Sequence, residues 1–256
     1  MDHRTLGSSG IECSRLGWGA FKIGRDQGTK FPEEYSIPSE EQSIRIIHEM
    51  LDLGINLIDT APSYGLSEAR LGKAIRDRRD DVVLSTKVGE QFEAGTSRYD
   101  FTSAAAVKSL QESLRRLGTD HVDMLWIHSD GNDRCILDDE PYLETLASFK
   151  DAGMTRAIGF SGKTIEGNRS ALAWADAIMI EYHLQDRSHE PLIIEAADKG
   201  IGVVIKKALQ SGHLPGDEAL RFVFHDSPAA NEITSVIIGS MDHRRMQSNL
   251  ALLEQA

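Results

Sequence analysis

Between Gly54 and Lys87 the chain carries two consecutive apolar runs, each ending on an ionisable residue, and this pattern most limits how it can fold. Ile55-Asn56-Leu57-Ile58 ends on Asp59, and Val82-Val83-Leu84-Ser85-Thr86 ends on Lys87. Between them stand Tyr64-Gly65, then Ser67 and Glu68 opening a helical pattern through Leu71, Ala74 and Ile75. Parallel strands covered on both faces are near-continuous apolar runs, so a charged residue after such a run marks where the strand leaves the core. The unit reads as βαβ with its chemistry at the strand tops. Neighbouring strands lie about 4.8 Å apart, so Asp59 and Lys87 can meet across the gap. A third run, Asp123 to Ile127, ends on His128 in the same manner.

The segment Gly54-Ile55-Asn56-Leu57-Ile58-Asp59-Thr60-Ala61-Pro62-Ser63-Tyr64-Gly65, with Ser67-Glu68 and Leu71-Gly72, resembles the signature of the aldo-keto reductases. Arg4-Thr5-Leu6-Gly7, Ser14-Arg15-Leu16-Gly17 and Gly159-Phe160-Ser161 extend the resemblance over most of the chain. It implies a catalytic tetrad of Asp59, Tyr64, Lys87 and His128. It also implies reversible, NADPH-dependent reduction of a small aldehyde or ketone to an alcohol, with NADH as an alternative cofactor. Hydride delivery leaves an alkoxide-like oxygen that must gain a proton. An unperturbed tyrosine, with a pKa of about 10, holds one at neutral pH. In this scheme Tyr64 gives the proton, Lys87 stabilises the phenolate, Asp59 places Lys87, and His128 orients the carbonyl. The hydride itself comes from a cofactor, because no side chain supplies one.

Residues 3–7 and 11–16 read as a hairpin around Ser8-Ser9-Gly10, which by the resemblance plugs the barrel floor, and Leu16-Gly17-Trp18-Gly19 as a first barrel strand. Gly17-Trp18-Gly19 is not a dinucleotide fingerprint, since that motif needs Gly where Lys22 stands. Gly24 to Pro38 is a long loop by composition. Ser39 with Gln42 reads as a capping box opening a helix that Gly54 stops. Gly89 to Asp100 reads as a second polar loop. Helix–strand alternation then continues to a last helix from about Asp242 to Leu253. About eight such alternations without a linker-like break predict an α/β fold, a (β/α)8 TIM barrel with an N-terminal β-hairpin and a short C-terminal tail. Residues 1–256 form one domain in this reading.

The 256 residues suit one such barrel, and 40% hydrophobic with 27% charged residues is ordinary for a globular chain. A net charge of -12 argues against sequence-independent nucleic-acid binding or anionic membranes as partners. Cys13 and Cys135, the only cysteines, lie in no metal-type spacing and read as inert packing residues in a reducing compartment. The start at Asp2-His3-Arg4 lacks a signal-peptide core, and no run of about 18 apolar residues occurs. The expectation is a soluble cytoplasmic protein; oligomeric state is not legible.

The resemblance carries cofactor contacts onto Ser161 for the nicotinamide carboxamide, and onto Gly239, Ser240, Arg245 and Asn249 for the adenosine end. Gly162, Met179 and Ser248 replace an Asn, a Gln and a Glu usual in the family. Lys206 stands about where an aromatic ring usually stacks on the nicotinamide. Two uses are open for it: Lys206 and Lys207 contact cofactor phosphates, or they form a solvated surface pair. Gly162-Lys163-Thr164 ends like a phosphate-binding P-loop, but that motif needs Gly where Ala157 stands. Ser129, Asp130 and the end at Ala256 predict an open, polar pocket, with Trp18, Phe21 and Trp126 as candidate lining. An alternative function is a nicotinamide-cofactor-binding sensor or interaction subunit with little turnover, which the altered contacts favour and the intact tetrad opposes. A metal-dependent hydrolase is disfavoured, for neither H-x-H nor H-E-x-x-H occurs, and no metal ligands are assigned.

Overall fold

The apolar runs become eight parallel strands closed into one barrel. A computed structural model describes residues 2–254; the end at Ala256, on which the short tail rests, lies outside the described residues. The chain opens with β1 (His3–Thr5), β2 (Glu12–Ser14), β3 (Leu16–Gly19), α1 (Glu40–Asp52), β4 (Leu57–Asp59) and α2 (Ser67–Ala74). Next come β5 (Val83–Val88), β6 (Glu90–Glu93), β7 (Thr96–Tyr99), α3 (Ser103–Leu117), β8 (Val122–His128) and α4 (Asp133–Leu137). α5 (Glu140–Asp151), β9 (Thr155–Ser161), α6 (Ile165–Ala171), β10 (Ala177–Glu181) and α7 (Glu190–Asp198) follow. The described chain closes with β11 (Gly202–Lys206), α8 (Gly216–Arg221), β12 (Ser235–Ile238) and α9 (His243–Leu253). Around the barrel the order is β3-β4-β5-β8-β9-β10-β11-β12, and β12 pairs with β3 to close it. This is the (β/α)8 TIM barrel expected.

Side chains alternate across each strand, so one set fills the barrel and the other packs under the helices. Leu57, Val83, Met124, Trp126, Ala157, Ala177, Met179 and Val204 form the inner set. Leu6, Ile11 and Cys13 of the β1–β2 hairpin join that cluster, so the hairpin closes the barrel floor as expected. Ile58, Leu84, Leu125 and Ile158 pack outward into the larger helix-facing core. Each such aliphatic side chain, when buried, contributes about 1.5–3 kcal/mol. Continuing the inner set upward by twos gives Asp59, Lys87, His128, Ser161, Glu181 and Lys206, all at strand tops.

Ser39 and Gln42 form the capping box, each side chain bonded to the other's backbone N–H at 3.2 and 2.9 Å. Four details differ from expectation. Gly89 to Asp100 holds the antiparallel β6–β7 hairpin, because Ala94 and Gly95 both take positive φ (49° and 81°) and close a two-residue turn. The short helix α4 follows β8, anchored where Asp133 accepts from Thr164 Oγ1 at 2.7 Å. After β11, α8 runs on into a turn of π-helix at Phe222–Asp226 instead of one regular helix. Cys13 is buried, its thiol pushed up to about 12 by burial, but Cys135 is exposed on α4 and packs nothing.

Candidate active site

Asp59, at the top of β4, points into the barrel beside Lys87 of β5. Lys87 is 2% exposed and donates to both Asp59 carboxylate oxygens at 2.6 Å and to the Thr60 carbonyl at 2.8 Å. Ser85 donates to Asp59 at 2.8 Å and accepts from the Trp126 indole at 2.7 Å, so the carboxylate is held from below as well. Burial pushes the Lys87 pKa down and Asp59 pulls it back up, with a net lowering.

Tyr64 hangs over this pair from a short 3-10 turn, Pro62–Tyr64. Gly65 has φ of 61°, and a Cβ there would lie 2.4 Å from the Gly24 carbonyl. A Cβ on Gly24 would lie 2.1 Å from the Tyr64 carbonyl, so two glycines let the loop backbone press on the turn and fix the tyrosine. The Tyr64 ring packs edge-on against Phe21 at 5.0 Å, with the Lys87 ammonium 5.0 Å from its centroid. Burial, then the charges of Asp59 and Glu90, raise its pKa well above 10. Tyr64 is therefore firmly protonated.

His128, ending β8, presents its ring to Tyr64 at 6.5 Å and 86°. Its Nδ1 lies 2.8 Å from Oε2 of Glu90, off the N–H line, so the contact is an electrostatic pair rather than a straight hydrogen bond. Burial lowers the His128 pKa, with Glu90 opposing and Lys87 and Lys206 assisting. Burial works to raise Glu90, yet His128 and Ser97 hold it down at about 2. Sequence reasoning missed Glu90, because the β6–β7 hairpin that carries it read as loop.

These groups line one cleft of about 740 Å³ at the strand tops. Ser161, Lys206, Gly239, Ser240 and Arg245 line it too, whereas Asn249 is buried on α9 and does not. Lys206 and Lys207 are no solvated pair. Lys206 donates to Ser161 Oγ at 2.9 Å and the Gly162 carbonyl at 3.0 Å, and burial, then the Lys207 and Lys87 charges, depress it to about 7. Lys207 is exposed and pairs with Glu181. Of the aromatic candidates only Phe21 lines the cleft. Trp18 and Trp126 are 1% exposed, their indoles donating to Ser240 O and Ser85. Ser129 turns inward to Asp133 and Asp130 caps its own turn at Asn132, so neither makes the cleft polar. Its polarity comes from Arg25, Glu90, Lys163, Glu181, His189 and Lys206. Period-two continuation of β10 could have found Glu181; nothing in the sequence marked His189, which is buried with both ring nitrogens unpartnered among the described residues.

A smaller cleft of about 360 Å³ lies at the opposite, strand-start end. Arg79 and Arg156 meet Asp123 there at 2.9 and 2.7 Å, with Glu12, Asp80, Asp81 and His121 also in the lining, and none of the tetrad residues lines it.

Of the adenosine-end residues, Gly239, Ser240 and Arg245 fit a dinucleotide cofactor. Among the described residues the Arg245 guanidinium makes no ion pair, and it stands near enough to Lys22 to help lower that ammonium's pKa, after burial. Gly19 and Gly239 both line the cleft beside Ser240, with only the Gly19 carbonyl, at 3.6 Å, near a Cβ on Gly239. Arg245 and the nearby Lys22, whose ammonium lies over the Phe31 and Tyr35 rings, bring positive charge to a side-chain-free floor, as a phosphate requires.

The family comparison agrees with this geometry: a model of the aldo/keto reductase family matches residues 15–255. The chain belongs to the aldo/keto reductase family. Aldo-keto reductase YhdN of Bacillus subtilis is 33% identical over 238 residues, covering 90% of this chain and 69% of that protein. L-galactose dehydrogenase of Arabidopsis thaliana is 28% identical over 100% of this chain and 89% of its own. A solved structure titled as the putative aldo-keto reductase from Pseudomonas aeruginosa superposes with a TM-score of 0.89 at 40% identity, covering 99% of this chain and 94% of that one. Family membership makes the chain an NAD(P)H-dependent oxidoreductase of carbonyl compounds. No helix among the described residues is long and apolar enough to cross a membrane.

Proposed function

We propose that residues 1–256 act as one NADPH-dependent reductase of hydrophilic aldehydes or ketones, with Tyr64 as proton donor. The observation that carries this reading is the protonated Tyr64 hydroxyl beside the Asp59–Lys87 pair in the one cleft that also holds Arg245 and Lys22. The cofactor supplies the hydride. Tyr64 gives a proton to the carbonyl oxygen, and Lys87, released in part from Asp59, offsets the phenolate charge as it forms. Arg25, Lys163, Glu181 and His189 in the cleft lining favour polar carbonyl compounds over alkyl chains.

Following NADPH oxidation against aldehydes, ketones and sugars, with NADPH fluorescence as the binding control, tests the reading. We expect turnover and no steady gain with alkyl length. A gain approaching the burial value of about 0.8 kcal/mol per methylene would mean a closed apolar pocket instead. The sensor reading is favoured by one observation, the Lys206 bridge to Ser161 and Gly162, which occupies the hydroxyl assigned to the carboxamide. Binding without turnover on every compound would select it.

NADPH should bind more tightly than NADH, because Arg245 can offer a planar fork to a 2′-phosphate. Arg245→Ala should weaken NADPH by about 1.5–3 kcal/mol, as for a charged hydrogen bond, and leave NADH little changed. Equal losses for both would place Arg245 away from that phosphate.

A further inference from the structure

We infer that Lys206 makes the cleft tell the two oxidation states of the cofactor apart, its uncompensated ammonium accepting the reduced nicotinamide and repelling the oxidised one. In a mixed cofactor pool the cleft then fills with the reduced form. The inference rests on the reductase reading above and adds the direction of the reaction to it.

Lys206 is a cation without an anion. Its Nζ is held by two neutral oxygens, Ser161 Oγ at 2.9 Å and the Gly162 carbonyl at 3.0 Å, and among the described residues it makes no ion pair. Glu181, its register neighbour on β10, pairs instead with Lys207. Lys87, the other lysine inside the barrel mouth, has Asp59. β11 stands four strands from β5 in either direction around the barrel, so Lys206 and Lys87 face each other across the mouth. The Lys206 charge helps to lower the His128 pKa, and the Lys87 charge helps to lower that of Lys206. Its field therefore spans the space where a carbonyl meets Tyr64. A ring that delivers hydride to that carbonyl has to stand in contact with it, inside the same field.

The reduced nicotinamide ring is uncharged. Hydride departs with both bonding electrons, so the oxidised ring carries one positive charge, while the proton on the new alcohol comes from Tyr64. Like charges in a cleft repel, and the charge that can give way is the proton on Lys206. Oxidised cofactor thus binds best beside the neutral amine and drives the ammonium to release its proton. The same repulsion weakens the product complex and speeds release of the spent cofactor. The groups facing Lys206 are Lys207 on its own strand, Glu181 from β10, Lys163 after β9, His128 from β8, Lys87 from β5 and His189 before α7. Burial lowers both histidines, which leaves Lys206, depressed to about 7, as the cation that titrates near neutrality. Oxidised cofactor lowers that pKa further, so its affinity is full above about 7 and falls as pH drops through it. The 2′-phosphate and its partners are common to both forms and cancel in the ratio of their affinities.

Binding, measured without substrate, tests this. Kd for NADPH from fluorescence titration and for NADP+ from calorimetry should give an NADP+/NADPH ratio about tenfold higher at pH 6 than at pH 8, the equivalent of one pKa unit. At pH 7, calorimetry in two buffers of different ionisation enthalpy should show NADP+ releasing about half a proton more than NADPH. Lys206→Met should flatten the ratio across pH and abolish the extra proton. Lys206→Arg, charged throughout, should keep the ratio high at pH 8 as well. Equal proton release for the two cofactors in wild type overturns the inference whether or not the variants fold. A ratio that still changes with pH in Lys206→Met assigns the effect to another group and overturns it too. Binding of both cofactors with a flat ratio defeats the inference alone, whereas binding of neither defeats the reductase reading and the inference with it.

Discussion

Tyr64→Phe should lower reduction of the best substrate by about 10² to 10⁴, the usual worth of a positioned general acid, while leaving NADPH affinity and thermal stability nearly unchanged. That range is about 2.7–5.5 kcal/mol of barrier. The substitution deletes one oxygen and no packing. The ring keeps its edge contact with Phe21 and its place near the Lys87 ammonium, and the lost hydroxyl makes no hydrogen bond among the described residues, so no buried partner is orphaned. Stopped-flow or steady-state NADPH oxidation, with fluorescence titration of the cofactor, separates the two effects. A variant that kept most of its activity would move proton donation to another group, with His128 the next candidate. A variant that lost cofactor binding in parallel would show that Tyr64 shapes the cleft rather than donates.

The barrel was legible because burial on both strand faces writes long apolar runs, and each run stopped on the residue that matters. Asp59, Lys87 and His128 all end such runs, and all three rise from the inner side-chain set. Tyr64 does not end a strand; the Tyr-Gly pair betrayed it, since the turn needs Gly65 at positive φ. What stayed hidden depends on partners distant in sequence. Glu90 gains meaning only when β6 swings it onto His128, and its hairpin turns on Ala94-Gly95, where the left-handed first position is filled by an alanine that gives no turn signal. The sequence left Lys206 open between cofactor phosphates and a solvated pair with Lys207, because it does not show that β11 ends on Lys206, which points into the barrel, while Lys207 leaves it at a positive φ of 56°. Ser129 and Asp130 misled in the opposite direction, since a polar residue after His128 can as readily anchor the next helix as face the cleft.

Asp59→Ala should be the most damaging single change to the fold at this site, costing about 3–5 kcal/mol, because it strands a buried ammonium. Lys87 has three oxygen contacts, and two of them are the Asp59 carboxylate; only the Thr60 carbonyl at 2.8 Å would remain. Ser85 would also lose its acceptor, leaving a hydroxyl fixed under the Trp126 indole without a place for its own proton. With the carboxylate gone, burial acts on Lys87 unopposed at close range and drives its already lowered pKa further down. The sign of the pH dependence follows. The unfolded chain, with an ordinary lysine, binds the proton more readily than the folded variant, so the variant's stability rises with pH and its deficit against wild type is greatest in acid. Chemical denaturation of both proteins at several pH values measures that difference directly. Asp59→Asn, which keeps the volume and one oxygen acceptor, should recover part of the stability but little of the activity, for an uncharged amide cannot hold Lys87 protonated beside Tyr64. A deficit that is small, or that grows as pH rises, would mean that the Asp59–Lys87 pair is not the buried charge balance on which the site stands.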